Sequence, residues 1–301
     1  MRWLLALLVA LPAQARVLAV GLGQEFDSPS RAVRAAVAGD TVRIEPGTYY
    51  DCAVATVSLT IEGRAGGVIL TDKTCEEKAI LVLRGGAMTV RNLTLARARV
   101  GDGNGAGIRM EGQGLVVEHV VFDNDEVGIL AGAGTGPVRV SDCVFQGGGV
   151  ARLAALFVDE VTQLTVERSR FSSARGAQVA SAAALTEIRG SQFYSGAEAR
   201  GIEVHGALLM EDNVLTAGPA AAAGMVRADG VGPVVLRRNR LTGPVLLQDW
   251  TGDVPVLEGN QAALGVSTEG VWRHRASVAL HGAKDGVRVL AGQVKRGVLG
   301  R

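Results

Sequence analysis

Between residues 203 and 250 acid, base and aromatic side chains recur in a regular pattern: Glu203 and His205, then Arg227 and Asp229, then Asp249 followed by Trp250. Stacked as a repeat, His205, Asp229 and Asp249 form one outward row, with Glu203 and Arg227 beside it. Two carboxylates on a rigid face are what glycoside hydrolysis needs, as general acid and as base or nucleophile. A histidine beside them can take the proton α to a carboxylate, as lyases and epimerases require. On this reading Glu203, His205, Asp229 and Asp249 are candidate catalytic residues. Arg227 and Trp250 are candidate substrate-binding residues, Trp250 as an apolar platform for a sugar ring. The competing reading is an ordinary solvated sheet face, on which Glu203 and Arg227 form a cross-strand ion pair of small energy.

A second cluster is Asp123, Asn124, Asp125 and Glu126, with Asp102, Gly103 and Asn104 one period earlier. Asp123, Asp125 and Glu126 are candidate ligands for Ca²⁺, a hard cation that seeks oxygen donors. Asp and Asn are equally the residues of tight turns. Nothing else in the chain calls for a cofactor. His119 stands singly in a strand, His274 and His281 lie in the tail, and no two histidines share metal-ligand spacing. Of the three cysteines, Cys52 and Cys75 fall in neighbouring periods and form a candidate disulfide for an exported chain.

These residues must be held by whatever repeats. One short phrase occurs seven times: TVRNLTL (89–95), VVEHVVF (116–122), RVSDCVF (139–145), TVERSRF (165–171), EIRGSQF (187–193), LMEDNVL (209–215) and VLRRNRL (235–241). Its closing residues are spaced by 27, 23, 26, 22, 22 and 26 positions. A period in this range is the mark of a solenoid. A second phrase of the form Gly-Ile-x-x accompanies it, at 107–110, 128–131, 156–159, 178–181, 201–204, 225–228 and 245–248. Two or three short strands per period, with no helix between them, predict a parallel β-helix with one period per coil.

Stacking then predicts columns. The last position of the first phrase stacks Phe122, Phe145, Phe171 and Phe193 inside, between Leu95, Leu215 and Leu241. Two positions earlier stand Leu93, Val120, Cys143, Ser169, Ser191, Asn213, Asn239 and Asn260, ending in an asparagine ladder. Cys143 lies within this column, which makes it a buried structural thiol rather than a nucleophile. In the second phrase, Ile108, Ile129, Phe157, Val179, Ile202, Val226 and Leu246 are expected to face inward. That frame creates the row His205, Asp229, Asp249.

The chain opens with Arg2, an apolar run from Trp3 to Leu11 and the small-residue site Ala13-Gln14-Ala15. Residues 1–15 read as a secretory signal peptide cut before Arg16. No other stretch is long and apolar enough to span a membrane. Ser28 to Gly39 read as a short amphipathic helix, with Ser28 as its cap, covering the open end of the coil stack. The β-helix is expected over 16–270, and 271–301 as a C-terminal cap with a basic tail. With 31 basic against 30 acidic residues there is no nucleic-acid footprint. A monomer is expected.

The opening phrase AGDTVRIEPGTY (38–49), together with LTDKTC (70–75), VRNLT (90–94), DGNGAGIR (102–109) and GIL (128–130), resembles exported right-handed β-helix repeat proteins of the pectate-lyase-like superfamily. The resemblance covers roughly residues 39 to 260. It implies an all-β chain, a single-stranded right-handed parallel β-helix with a short N-terminal capping helix. Its motifs specify fold more than activity. In that set, two middle coils open with His-Gly-Ile-Tyr-like and His-x-Val-Lys-Ser-Arg-like phrases. Here the corresponding polar positions are Ala154, Ala177, Ala180 and Ala182.

The functional expectation is therefore an exported, periplasmic or extracellular protein that binds polysaccharide or another anionic polymer, or has a structural role, without catalysis. The alternative is a polysaccharide lyase, epimerase or hydrolase acting on the exterior face.

Overall fold

A computed structural model describes residues 15–132, 134–147, 154–172, 175–196, 198–217, 225–230, 232–242, 245–250, 255–262 and 266–269. The expected signal peptide, save Ala15, and the expected cap and tail at 271–301 lie outside the described residues. The chain is a single-stranded right-handed parallel β-helix of about nine turns. Each coil contributes one strand to each of three parallel sheets, of eleven, ten and ten strands.

One coil shows the logic. Ala87–Arg91 lies in the first sheet, Thr94–Ala96 in the second and Ala106–Met110 in the third. In the first strand Met88 and Val90 are buried while Ala87, Thr89 and Arg91 are not, the period-2 pattern of a sheet with one wet face. The chain bends from the first sheet to the second at one residue per coil in left-handed backbone conformation. These residues are Asn92, His119, Asp142, Arg168, Gly190, Asp212, Arg238 and Gly259, with φ between 45° and 61°. From Asn92 to Arg238 each bend amide donates to a carbonyl of the next coil, as from Asn92 to Glu118 and from His119 to Ser141 (both 3.1 Å). His119 is thus a bend residue of the coil.

The next residue in each coil points inward and forms the ladder. The backbone N–H of Cys143 donates to Ser169 Oγ (3.1 Å), Ser169 to Ser191 Oγ (3.1 Å) and Ser191 to Asn213 Oδ1 (2.9 Å). Asn213 and Asn239 donate in turn to Oδ1 of Asn239 and Asn260 (3.0 and 2.9 Å). The ladder therefore runs from Cys143 to Asn260, longer than its asparagines alone. Burial pushes the Cys143 thiol up to about 12, so it carries no thiolate at neutral pH. Beside the ladder, the four phenylalanine rings stack at centroid distances of 4.6, 4.4 and 4.8 Å. Each such pair adds about 0.5–1.5 kcal/mol beyond its area burial.

The third sheet departs from strict alternation. Gly107 and Ile108 both face inward: a Cβ on Gly107 would lie 2.8 Å from the Phe122 ring, and one on Gly128 2.6 Å from the Phe145 ring. Glycine opens the second phrase there because the stacked rings need the space. The capping helix spans Pro29–Ala35 and buries Ala32 and Val33. Ser28 does not cap it with its side chain; its hydroxyl donates to Asp27 (3.1 Å), while Asp51 Oδ2 accepts from the Ser30 amide (2.7 Å). The helix also stops short of Gly39, leaving Val37 exposed.

Candidate functional site

The third sheet's register fixes which side chains meet on its exterior. Ile202 pairs with Val226, Glu203 with Arg227 and His205 with Asp229. The expected frame fails at both ends of this face. Ile129 pairs with Leu156, so Leu156 is buried and Phe157 is the outward residue. Val226 pairs with Val245, so Leu246 falls opposite Arg227. A register shift between Ala228 and Gly230 then brings Trp250 opposite Gly230, which sets Asp249 in the irregularity rather than in a continuous row. The side chains of Asp249 and Trp250 lie outside the described residues.

Glu203, His205, Arg227 and Asp229 border a shallow exterior hollow of about 310 Å³, with Phe157, Ala180 and Ala182 completing its lining. Two of the positions at which the resemblance led one to expect polar groups, 180 and 182, are what open it: a methyl group stands where longer side chains would fill the space. Ala154 and Ala177 are fully buried, so an unpaired charge there would be costly. Within the hollow His205 Nδ1 lies 2.6 Å from Asp229 Oδ1. With Asp229 as acceptor, Nδ1 carries the hydrogen and Nε2 is the basic nitrogen. The Nε of Arg227 is buried with no hydrogen-bond partner among the described residues. One wall thus offers a cation and an oriented imidazole, and the other the Phe157 ring.

The acidic cluster does other work. Asp125 Oδ1 accepts from the Ala98 amide (2.7 Å), and Glu126 Oε2 from the amides of Val100 and Gly105 (3.0 and 2.8 Å). Asp102 accepts from Asn104 (2.8 Å). These carboxylates tie down the loop between the second and third sheets. The Asp123 carboxylate meets Gln146 at 3.5 Å, and its carbonyl accepts from the Arg97 amide (3.0 Å). No group of three His, Cys, Asp or Glu side chains among the described residues is placed to hold a metal ion, so the Ca²⁺ candidates do not converge. Cys52 and Cys75 are joined as a disulfide.

Sequence reasoning missed an ion network on the same face. Glu111 accepts from Lys78 Nζ (2.7 Å) and Arg84 Nε (2.8 Å), and Arg84 also pairs with Glu76. Burial pushes the Glu111 carboxyl up, but the hydrogen bonds from Lys78 and Arg84 outweigh it and hold it below the usual range. A 33-residue separation leaves no local signal for the Lys78–Glu111 contact.

The fold is that of pectate-lyase-like β-helices. No protein-family model and no characterised protein sequence matches the chain. Among solved structures it is similar to the PL6 family alginate lyase AlyGC, with a TM-score of 0.56 and 16% identity over 86% of this chain. The chain spans only 38% of that enzyme's length. It is also similar to the pectin methylesterase PemA from Erwinia chrysanthemi, with a TM-score of 0.51 and 14% identity, covering 87% of this chain and 94% of that one. No helix among the described residues is long and apolar enough to cross a membrane.

Proposed function

We propose that the chain is an exported polysaccharide-binding β-helix that uses the hollow on its third sheet without catalysis. Residues 1–15 act as its export leader. The observation that carries the reading is the hollow itself: an arginine whose buried Nε has no partner among the described residues, Asp229 on its own strand, Glu203 one coil away and an apolar wall at Phe157. Saccharide recognition combines such apolar contact with a few convergent polar groups. An alginate lyase and a pectin methylesterase share the fold, which favours an acidic polysaccharide as partner. The alanines at 154, 177, 180 and 182 favour binding over turnover. Retardation of the purified protein in gels cast with alginate or polygalacturonate, against a neutral glucan control, tests it. Equal mobility in all three gels counts against the proposal.

A second reading rests on the His205–Asp229 pair. An imidazole held by a carboxylate at 2.6 Å is the arrangement of a general base, and Glu203 lies beside it in the same hollow. A lyase would release unsaturated products, detected by ultraviolet absorbance. Turnover that disappears in His205→Ala would replace binding by catalysis as the function.

A further inference from the structure

The other end of the solenoid holds a carboxylate that gathers its partners around the residue at which the leader is expected to be cut. Asp40 is fully buried, occluded by its immediate neighbours rather than by depth of protein, since it sits at the capped end. Its Oδ2 accepts from the Val37 amide (2.9 Å) and the Arg16 guanidinium (2.7 Å). Its Oδ1 accepts from the backbone nitrogen of Arg16 (2.9 Å). Arg16 is also the residue before which the leader is expected to end. The Arg16 carbonyl accepts from Thr41 (2.8 Å), and Val17 then pairs with Thr41. Ala15 and Arg16 are exposed, so the bond between them lies at the surface while the partner of its nitrogen lies beneath.

We propose that hydrolysis of the Ala15–Arg16 bond turns this nitrogen into a charged anchor that locks the first strand onto the capped end. A leader protease supplies water across the bond. The Ala15 carbonyl carbon takes the water oxygen and departs as a carboxylate, and the Arg16 nitrogen takes both water protons and becomes an ammonium. The donor atom is the same one, already 2.9 Å from Oδ1, so no rearrangement is needed. What changes is its charge: a bond in which only the carboxylate was ionised becomes one between two opposite charges. Both cations then meet the one carboxylate, the ammonium on Oδ1 and the guanidinium chiefly on Oδ2, with its Nε 3.5 Å from Oδ1. Glu25 adds a favourable field at Arg16.

The inference rests on the leader reading, and its test separates the two. The full chain is produced in an exporting host and its N-terminus sequenced; a start at Arg16 is expected, and any other start overturns both. The processed chain is then compared with one carrying Gly-Ser before Arg16. The processed chain is expected to melt about 2–4 °C higher, and the difference to vanish in Asp40→Asn. Equal midpoints with a confirmed Arg16 start overturn the anchor and leave the leader standing. Acylation by an amine-reactive reagent is a second readout that needs no variant. The α-amine of the folded processed chain is expected to label several-fold more slowly than after unfolding, and equal rates overturn the proposal.

Discussion

The two ends of the third sheet's outer face use the same columns differently. Arg109 and Arg227 occupy one outward column, and Glu111, His205 and Asp229 the column two residues along. At the Glu111 end, Lys78, Arg84, Glu76 and Glu111 satisfy one another in an ion network, with Arg109 Nε 3.7 Å from Glu111. Beside it, Ala79, Val82, Ala106, Val127 and Leu130 form a separate apolar cluster against Val54, Cys75 and Phe157. At the His205 end the face recedes into a hollow, and it is this opening that sets Arg227 apart, since its Nε and that of Arg109 are both buried without a hydrogen-bond partner among the described residues. The first sheet resembles the Glu111 end. Its last strand position alternates in charge over long stretches, with Glu62 and Arg91 at one end and Glu167, Arg189, Glu211, Arg237 and Glu258 at the other. Polar residues in a solenoid are mostly matched by the coil above or below. A candidate site is where such residues meet a cavity.

That contrast can be broken most directly at Arg227. Arg227→Ala is expected to weaken acidic-polysaccharide binding about tenfold or more, the scale of one lost charge-assisted contact, with little change in melting midpoint. Titrating labelled oligosaccharide against both proteins measures it. Unchanged affinity together with a lowered midpoint would make Arg227 structural and dissolve the contrast. Glu111→Ala is the mirror experiment. It leaves two cations facing each other and is expected to cost about 1–2 kcal/mol of stability, read by denaturant unfolding, with binding intact. Glu111 titrates below its unfolded value, so its contribution is fully present above about pH 4.3. It is lost as pH falls through the lower folded value. The variant's deficit should therefore shrink in acid.

The sequence makes the coil legible because its cause is local. One residue per coil bends the chain, the next joins the ladder, and a phenylalanine follows two positions on. The columns through Cys143 and the asparagines could thus be read without coordinates. The third sheet was less legible because alternation is a rule about ideal strands. Two consecutive inward residues at Gly107 and Ile108, and the register shift after Ala228, each displace the count by one. Phe157 faces outward because Leu156 rather than Phe157 pairs with Ile129, and the shift after Ala228 takes Asp249 from the row. Ser28 does stand at the helix N-cap, but Asp51, one coil later, and not the Ser28 side chain, reaches the helix amide. His205, Asp229, Glu203 and Arg227 were found because regular pairing happens to hold between their two strands.

Asp125 sharpens the contrast from inside the wall. Its Oδ2 is buried with no hydrogen-bond partner among the described residues, beside a cavity of about 20 Å³ lined by Phe122, Phe145 and Gly128. Burial pushes this carboxyl well above the usual range, although the Ala98 amide opposes the shift. The folded protein therefore holds the proton more tightly than the unfolded chain. Its contribution is complete below about pH 3.9 and declines as pH rises from there to the raised folded value. Asp125→Asn keeps an acceptor for Ala98 and cannot ionise. It is expected to raise the melting midpoint by about 2–4 °C at neutral pH and to match the parent in acid. A variant less stable than the parent at neutral pH would mean that the ionised carboxylate has a partner in the cavity. A space of this size admits a single water.

The smallest effect belongs to the matched pairs on the bends. Arg238 donates to both Asp212 oxygens at 2.8 Å, and both side chains are more than half exposed. Asp212 holds its left-handed backbone whether or not the pair forms, and asparagine tolerates that conformation as readily. The pair is one of several along the solenoid and is screened by salt. Asp212→Asn is thus expected to melt with the parent at physiological ionic strength and to bind polysaccharide equally well. A clear loss of stability would show that the exterior pairs act together as a network. Charge matching would then hold the coils in register, and the Glu111 end would be one part of a continuous seam.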